Sequence, residues 1–291
     1  MKCYLFVLGY KGLFVLNELE RKGLLQCIEC VVTHIIKTEK SYFDDIKEIC
    51  CRNGIPFCLK DEISKFHKDN NSYAVAIGWK WVIQGYSKII VFHDSLLPKY
   101  RGFNPLVTSL INGDDTIGVS VLYGTNEYDK GDIIYQKSMA VSYPITIWEA
   151  IGKISHLYAD LCIKVLKDIQ SNKSLIAKKQ NHAEATYSLW RDRQDYHINW
   201  QWDSARIVRF IDAVGFPYDG AKTMFENKIL KVLKAEVIKD VVVANRDCGK
   251  VIFMENKCCI VVCGIGLVKL CEVVDENGQR WIAPNFRIHF R

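Results

Sequence analysis

The residues best suited to chemistry in this chain are the ten from His93 to Gly102, which read H-D-S-L-L-P-K-Y-R-G. A β-branched run, Ile89-Ile90-Val91, leads into them, and a stretch with helical spacing, Pro105 to Ile111, follows. In open α/β sheets, ligands bind beyond the carboxyl ends of the strands, so a histidine where a strand gives way to a loop is placed for catalysis. Its imidazole can give or take a proton near neutral pH. Taken alone, His93 reads equally well as a loop histidine in a solvated basic neighbourhood, and the surrounding motif has to decide.

That motif resembles the signature of the folate-dependent formyltransferases, a family with members acting on methionyl-tRNA, on glycinamide ribonucleotide and on sugar nucleotides. The family pattern is Asn-x-His, then Ser-Leu-Leu-Pro, then a catalytic aspartate in a second motif. Here E-Y-D-K-G-D-I-I-Y-Q resembles the second motif, and its Asp129 lies 36 residues after His93. The K-Y-R-G ending is similar to the tRNA and sugar branches. The resemblance covers nearly the whole chain and is weakest in the last third. It implies 10-formyl-tetrahydrofolate as cosubstrate, His93 and Asp129 as catalytic residues, and a folate neighbourhood of Trp79, Lys80 and Trp81 with Arg101 and Gly102. Two core tryptophans would explain Trp79 and Trp81 as well.

One position departs from the pattern. The family asparagine falls two residues before the histidine, where this chain has Val91. Loss of one donor to an oxyanion costs on the order of a hundredfold in rate. Asn104 has the right amide to compensate, or serves as a turn residue before Pro105, which is the simpler reading. Formyl transfer to an amine needs a neutral amine, a stabilised oxyanion and a protonated leaving nitrogen. The resemblance therefore casts His93 as acid/base or oxyanion partner and Asp129 as its charge partner or proton acceptor. Arg101 would build the loop or bind an anion, with a surface salt bridge as the plainer role.

The resemblance extends to the acceptor. Trp190-Arg191-Asp192 with Tyr196 and Trp200, and the run Ala213 to Ala221, are similar to segments of the sugar-nucleotide N-formyltransferases. They imply a nucleotide-linked amino sugar, destined for a surface glycan, with Trp190, Arg191, Tyr196 and Asn104 on the substrate side. Aromatics there would stack a base while Arg191 or Arg193 meets a diphosphate, or would simply pack domains together. A methionyl-tRNA acceptor is the second reading, and a catalytically inactive folate-binding relative the third.

The 291 residues, 49% of them hydrophobic, suffice for a substantial core and two domains. A net charge of +6 without a dense basic block suits an anionic substrate such as a nucleotide diphosphate, does not exclude tRNA, and by itself decides nothing. No apolar run nears the ~20 residues that span a bilayer, and Lys11 interrupts the one N-terminal stretch that could pass for a leader. The 12 cysteines are scattered through apolar runs, which reads as free thiols in a reducing cytoplasm. Cys27 and Cys30 with Cys50 and Cys51 could be argued as a zinc cluster, but the spacing of the second pair is wrong for a tight metal knuckle, so no metal is expected. Gly9 and Gly12 fall short of a dinucleotide fingerprint, which argues against a nicotinamide cofactor.

The elements that must position these groups read as an α/β fold, a doubly wound, mostly parallel sheet, with a smaller β-rich C-terminal domain resembling a partly open barrel. Strands are expected at Cys3–Leu8, Cys27–His34, Pro56–Cys58 and Tyr73–Ile77, with helices at Leu13–Lys22 and Asp44–Cys51 after a turn at Gly9–Gly12. Thr116–Tyr123 and Ile133–Ala140 bracket the Asp129 loop. Trp148–Ile169 is a long amphipathic helix, with His156 as a packing residue. A polar connector from Gln170 to Asn181 separates a catalytic domain, 1–175, from a β-rich domain, 181–291. Beyond it come a helix near Ser204–Val214, capped by Asp203, and strands at Ile229–Val237, Lys250–Phe253, Cys259–Val262 and Leu267–Val274. Aromatic strands there would suit a homodimer.

Overall fold

The computed structural model describes residues 2–35, 41–65 and 72–291. The chain divides into two compact units: one of 1–105, 116–140 and 151–189, the other of 106–115, 141–150 and 190–291.

The first unit is built on a sheet. Its strands are β1 (Cys3–Val7), β2 (Ile28–Thr33), β3 (Phe57–Leu59), β4 (Tyr73–Ile77) and β5 (Lys88–His93), joined in part by helices α1 (Gly9–Arg21) and α2 (Phe43–Arg52). β1 and β4 are buried along their whole length, which explains why they read as continuous apolar runs and do not alternate. One face gathers Tyr4, Phe6, Cys30, Val32, Cys58, Ala74 and Ala76, with Trp79 and Val91 packed against them. The expected turn at Gly9–Gly12 is corrected: α1 begins at Gly9 itself. A Cβ on Gly12 would stand 2.8 Å from Val7 Cβ, so glycine there allows α1 to lie close on β1.

Past β5 come the short β6 (Arg101–Gly102), helix α3 (Pro105–Asn112), β7 (Thr116–Tyr123), β8 (Ile133–Ala140) and helix α4 (Ile147–Gln170). Sheet order is β3-β2-β1-β4-β5-β7-β8. The first five strands pair in parallel, whereas β7 runs antiparallel to β5 and β8 antiparallel to β7. The sheet is thus mostly parallel with an antiparallel edge, and that edge is the hairpin carrying Asp129. Register brings His93 opposite Ser120. The segment read as a polar connector continues the first unit. Lys178 bridges Ile133 of β8, and β9 (Tyr187–Ser188) pairs with β6.

In the second unit, α5 (Ser204–Ala213) starts where the Asp203 carboxylate accepts the Arg206 N–H at 2.8 Å. β10 (Ala221–Phe225), β11 (Lys228–Ile238), β12 (Val251–Glu255), β13 (Cys258–Val262) and β14 (Leu267–Val274) form an antiparallel sheet in the order β10-β11-β14-β13-β12. β10 was not foreseen in the sequence. Among the described residues no helix is long and apolar enough to cross a membrane.

Candidate active site

His93 is the last residue of β5, and only 7% of its surface is exposed. Its Nε2–H donates to the Tyr100 carbonyl at 2.8 Å. A carbonyl only accepts, so Nε2 must carry a proton, and Nδ1 is the atom left for chemistry. Nδ1 faces Oδ1 of Asp129 at 3.5 Å. The other carboxylate oxygen, Oδ2, accepts the Gly102 N–H at 2.8 Å. An imidazole nitrogen and a carboxylate oxygen meeting in this way are complementary when a proton sits on the histidine. The pair can therefore hold, give and take one proton.

Two sets of bonds keep these groups in place. Beneath the His93 loop, Ser120 Oγ accepts the Leu97 N–H at 2.9 Å and donates to the Ser95 carbonyl at 2.6 Å. Gln136 Nε2 donates to the Leu97 carbonyl at 2.9 Å and to Ser120 Oγ at 2.8 Å. Around Asp129, whose φ of 53° is left-handed, Gln180 Nε2 donates to the carbonyls of Asp129 and Gly131, each at 2.7 Å. Gln180 Oε1 in turn accepts from Arg101 Nε at 3.1 Å and a terminal Arg101 nitrogen at 2.6 Å, and His182 Nδ1 accepts from Arg101 at 3.0 Å. Arg101 is 1% exposed, so its guanidinium is an internal staple of the loop.

The remaining candidates fall in several places. Trp79 packs edge-on against Phe6 at 5.1 Å and Trp81 at 5.0 Å. Trp81 meets the His34 ring at 4.8 Å, and Lys60 Nζ lies 4.8 Å from the Trp81 ring centre. Lys80 is exposed. Among the described residues, Trp79 Nε1 and His34 Nδ1 are buried without a hydrogen-bond partner. Gly102 belongs to the site through its backbone N–H. Val91 packs into the apolar cluster below. Asn104 takes a left-handed φ of 48° immediately before α3, the conformation of a turn residue.

Trp190, Arg191 and Tyr196 lie in the second unit. Trp190 is 63% exposed. Arg191 Nε is buried without a partner among the described residues, and burial lowers the pKa of this guanidinium from its usual value. Lys222 Nζ lies 5.7 Å from the Tyr196 ring centre. Trp200 is a core residue whose Nε1 donates to Thr223 Oγ1 at 3.1 Å. His156, read as a packing residue, is exposed and meets the Phe14 ring edge-on at 4.7 Å.

Sequence reading missed Ser120, Gln136, Gln180 and His182. It also passed over Asp94, which lies inside the singled-out motif. A charged residue directly after a strand-end histidine was a usable signal. Gln180 offered none, because a glutamine in a polar run has no local mark of burial.

Residues 72–166 match the family described as formyl transferase, and residues 191–289 match the formyl transferase C-terminal domain. A methionyl-tRNA formyltransferase of Caldanaerobacter subterraneus subsp. tengcongensis is 28% identical over 260 residues, which are 83% of this chain and 81% of that protein. One from Halothermothrix orenii is 33% identical over 201 residues, which are 68% of this chain and 63% of its relative. Among solved structures, the N-formyltransferase from Helicobacter canadensis, in complex with folinic acid and dTDP-3-aminofucose, shares the fold. Its TM-score is 0.66 at 18% identity, over 96% of this chain and 99% of that one.

Proposed function

Because this chain belongs to the formyl transferase family, we propose that it moves a formyl group from 10-formyl-tetrahydrofolate to the amine of a nucleotide-linked amino sugar. The observation that carries the reading is the buried His93–Asp129 pair at the end of β5, 3.5 Å apart. The folate, when bound, supplies an activated formyl group. Trp79, Lys80 and Trp81 would hold it. The orphaned nitrogens on Trp79 and His34 suit a flat ring bearing hydrogen-bonding atoms.

The chain's own groups then divide the work. Asp129 accepts the proton that the attacking amine must lose. A proton on Nδ1 of His93, the nitrogen not committed to Tyr100, would steady negative charge growing on the formyl oxygen and pass to the leaving nitrogen. Val91 brings no amide donor, so that stabilisation rests on His93. Arg101 and Gly102 serve the folate side by fixing the loop, the second through its bond to Asp129.

Two observations support the sugar acceptor. Trp190 offers an exposed ring for a base, and the buried, unpartnered Nε of Arg191 suits a diphosphate oxygen. The Helicobacter canadensis protein, similar over nearly the whole chain, is described with a dTDP-linked amino sugar. The relatives named as methionyl-tRNA formyltransferases favour the second reading, an aminoacyl-tRNA acceptor. In either case residues 1–175 carry catalysis, and the free thiols fit a reducing cytoplasm.

The test is formylation with 10-formyl-tetrahydrofolate across a panel of amino-sugar nucleotides and methionyl-tRNA. Turnover of an amino sugar, lost in His93→Asn and Asp129→Asn, supports the proposal. Turnover of the tRNA alone replaces the acceptor, and silence throughout favours an inactive folate-binding relative.

A further inference from the structure

Directly beside His93 lies a second charged assembly that the reaction above does not use. Asp94 follows directly after β5, and both oxygens of its carboxylate are bound. Oδ2 accepts from Lys11 Nζ at 2.5 Å, and Oδ1 accepts the Tyr158 hydroxyl. Lys11 comes from the first turn of α1 and Tyr158 from α4. The three close on one another: Lys11 Nζ lies 5.3 Å from the Tyr158 ring centre, and the Tyr158 hydroxyl also reaches the Phe92 carbonyl at 3.3 Å. Tyr158 stacks on Phe92 with ring centres 5.5 Å apart, and is 1% exposed. A partly buried ion pair contributes little to stability alone, since desolvation offsets much of its attraction. Its position next to the reacting histidine suggests another use.

We propose that Lys11, Asp94 and Tyr158 form a positioning unit that fixes the end of β5 and sets the charge balance felt by His93. Asp94 is held from two directions by groups on separate helices, so the peptide joining it to His93 has little freedom to rotate. The imidazole direction follows, because its Nε2–H is committed to the Tyr100 carbonyl. The charged and titratable groups facing Asp94 are Lys11 from α1, Tyr158 from α4 and His93 beside it, and His93 itself faces Asp129 at 3.5 Å, a partner unchanged in every variant below. Burial pushes the Asp94 carboxyl up, but Lys11 and the bond from Tyr158 outweigh this and hold it below its ordinary range. Asp94 is therefore a lasting negative charge next to His93, and Lys11 is the positive charge that offsets it.

Because the two charges oppose each other, removing either should shift His93 in opposite senses, which a purely structural role would not do. The inference rests on His93 being the proton-handling group, but its test needs neither folate nor acceptor. The titration of His93, followed by NMR of 13C-labelled histidine side chains in the free protein, provides the readout. In Asp94→Asn, with Lys11 kept, the His93 midpoint should fall by about one pH unit. In Lys11→Met it should rise, and in the double variant it should return near the starting value. Equal midpoints in all four proteins, or shifts in the same direction for both single variants, would overturn the proposal. Should Asp94→Asn fail to fold, Lys11→Met carries the test, and an unmoved midpoint there sinks it. Absence of formyl transfer in the acceptor panel, with these shifts present, would instead count against the proposed reaction alone.

Discussion

The Gly102 N–H and Asp129 Oδ2 meet at 2.8 Å, tying the end of the His93 loop to the tip of the β7–β8 hairpin. This bond occupies one carboxylate oxygen and turns the other, Oδ1, toward His93 Nδ1. A backbone donor does this without a side chain that could rotate away, so the orientation of Asp129 depends on the loop backbones staying where they are.

The hairpin backbone should therefore tolerate no added atom at Gly131. A Cβ there would stand 1.8 Å from the Tyr123 carbonyl oxygen, so the loop cannot keep its path. Gly131→Ala is expected to cost about 2–4 kcal/mol of stability. Transfer should drop at least tenfold through kcat, as Asp129 moves away from His93. Thermal melts and steady-state kinetics on the same preparation check both parts.

Gln180 joins Arg101 to the carbonyls of Asp129 and Gly131. In Gln180→Leu those groups lose their partner, at about 1–3 kcal/mol for each buried group left unsatisfied. Melting temperature and kcat should fall together. Full activity in a destabilised protein would show that the staple matters only for folding.

Asn104 separates two roles cleanly. Glycine takes a left-handed φ without strain and has no amide. Asn104→Gly should leave kcat and KM within about twofold if the turn is what matters, whereas Asn104→Val should destabilise, because a β-branched residue resists φ of 48°. A large rise in KM for the glycine variant would instead make the amide a substrate contact.

A pH effect is expected in the second unit. Burial, with Glu149 adding to it, pushes the Asp212 carboxyl up to about 6. The folded chain thus holds this proton more tightly than the unfolded chain, whose carboxyl titrates near ~3.9. The resulting stabilisation is complete below that value and is lost as pH rises through about 6. Asp212→Asn should flatten the decline in melting temperature between about pH 4 and 7, which a series of melts would reveal.

The sequence by itself determined the chemistry-bearing motif, the alternation of strands and helices around it, and the hairpin that carries Asp129. These are local properties: β-branched runs at Ile89–Val91 and Thr116–Tyr123, and helical spacing from Trp148 onward, record burial in the residues themselves. Tertiary structure alone decided that β7 runs antiparallel to β5, that Gln180 returns from a polar run to hold Asp129, and that Lys11, Asp94 and Tyr158 meet beside His93. Each depends on partners separated by tens of residues, from Gln180 to Asp129 at 51 to Lys11 and Asp94 at 83. Polar residues carry no periodic signature of burial. A lysine or aspartate in a turn looks solvated until the fold brings its partner, and only then does its charge acquire a direction.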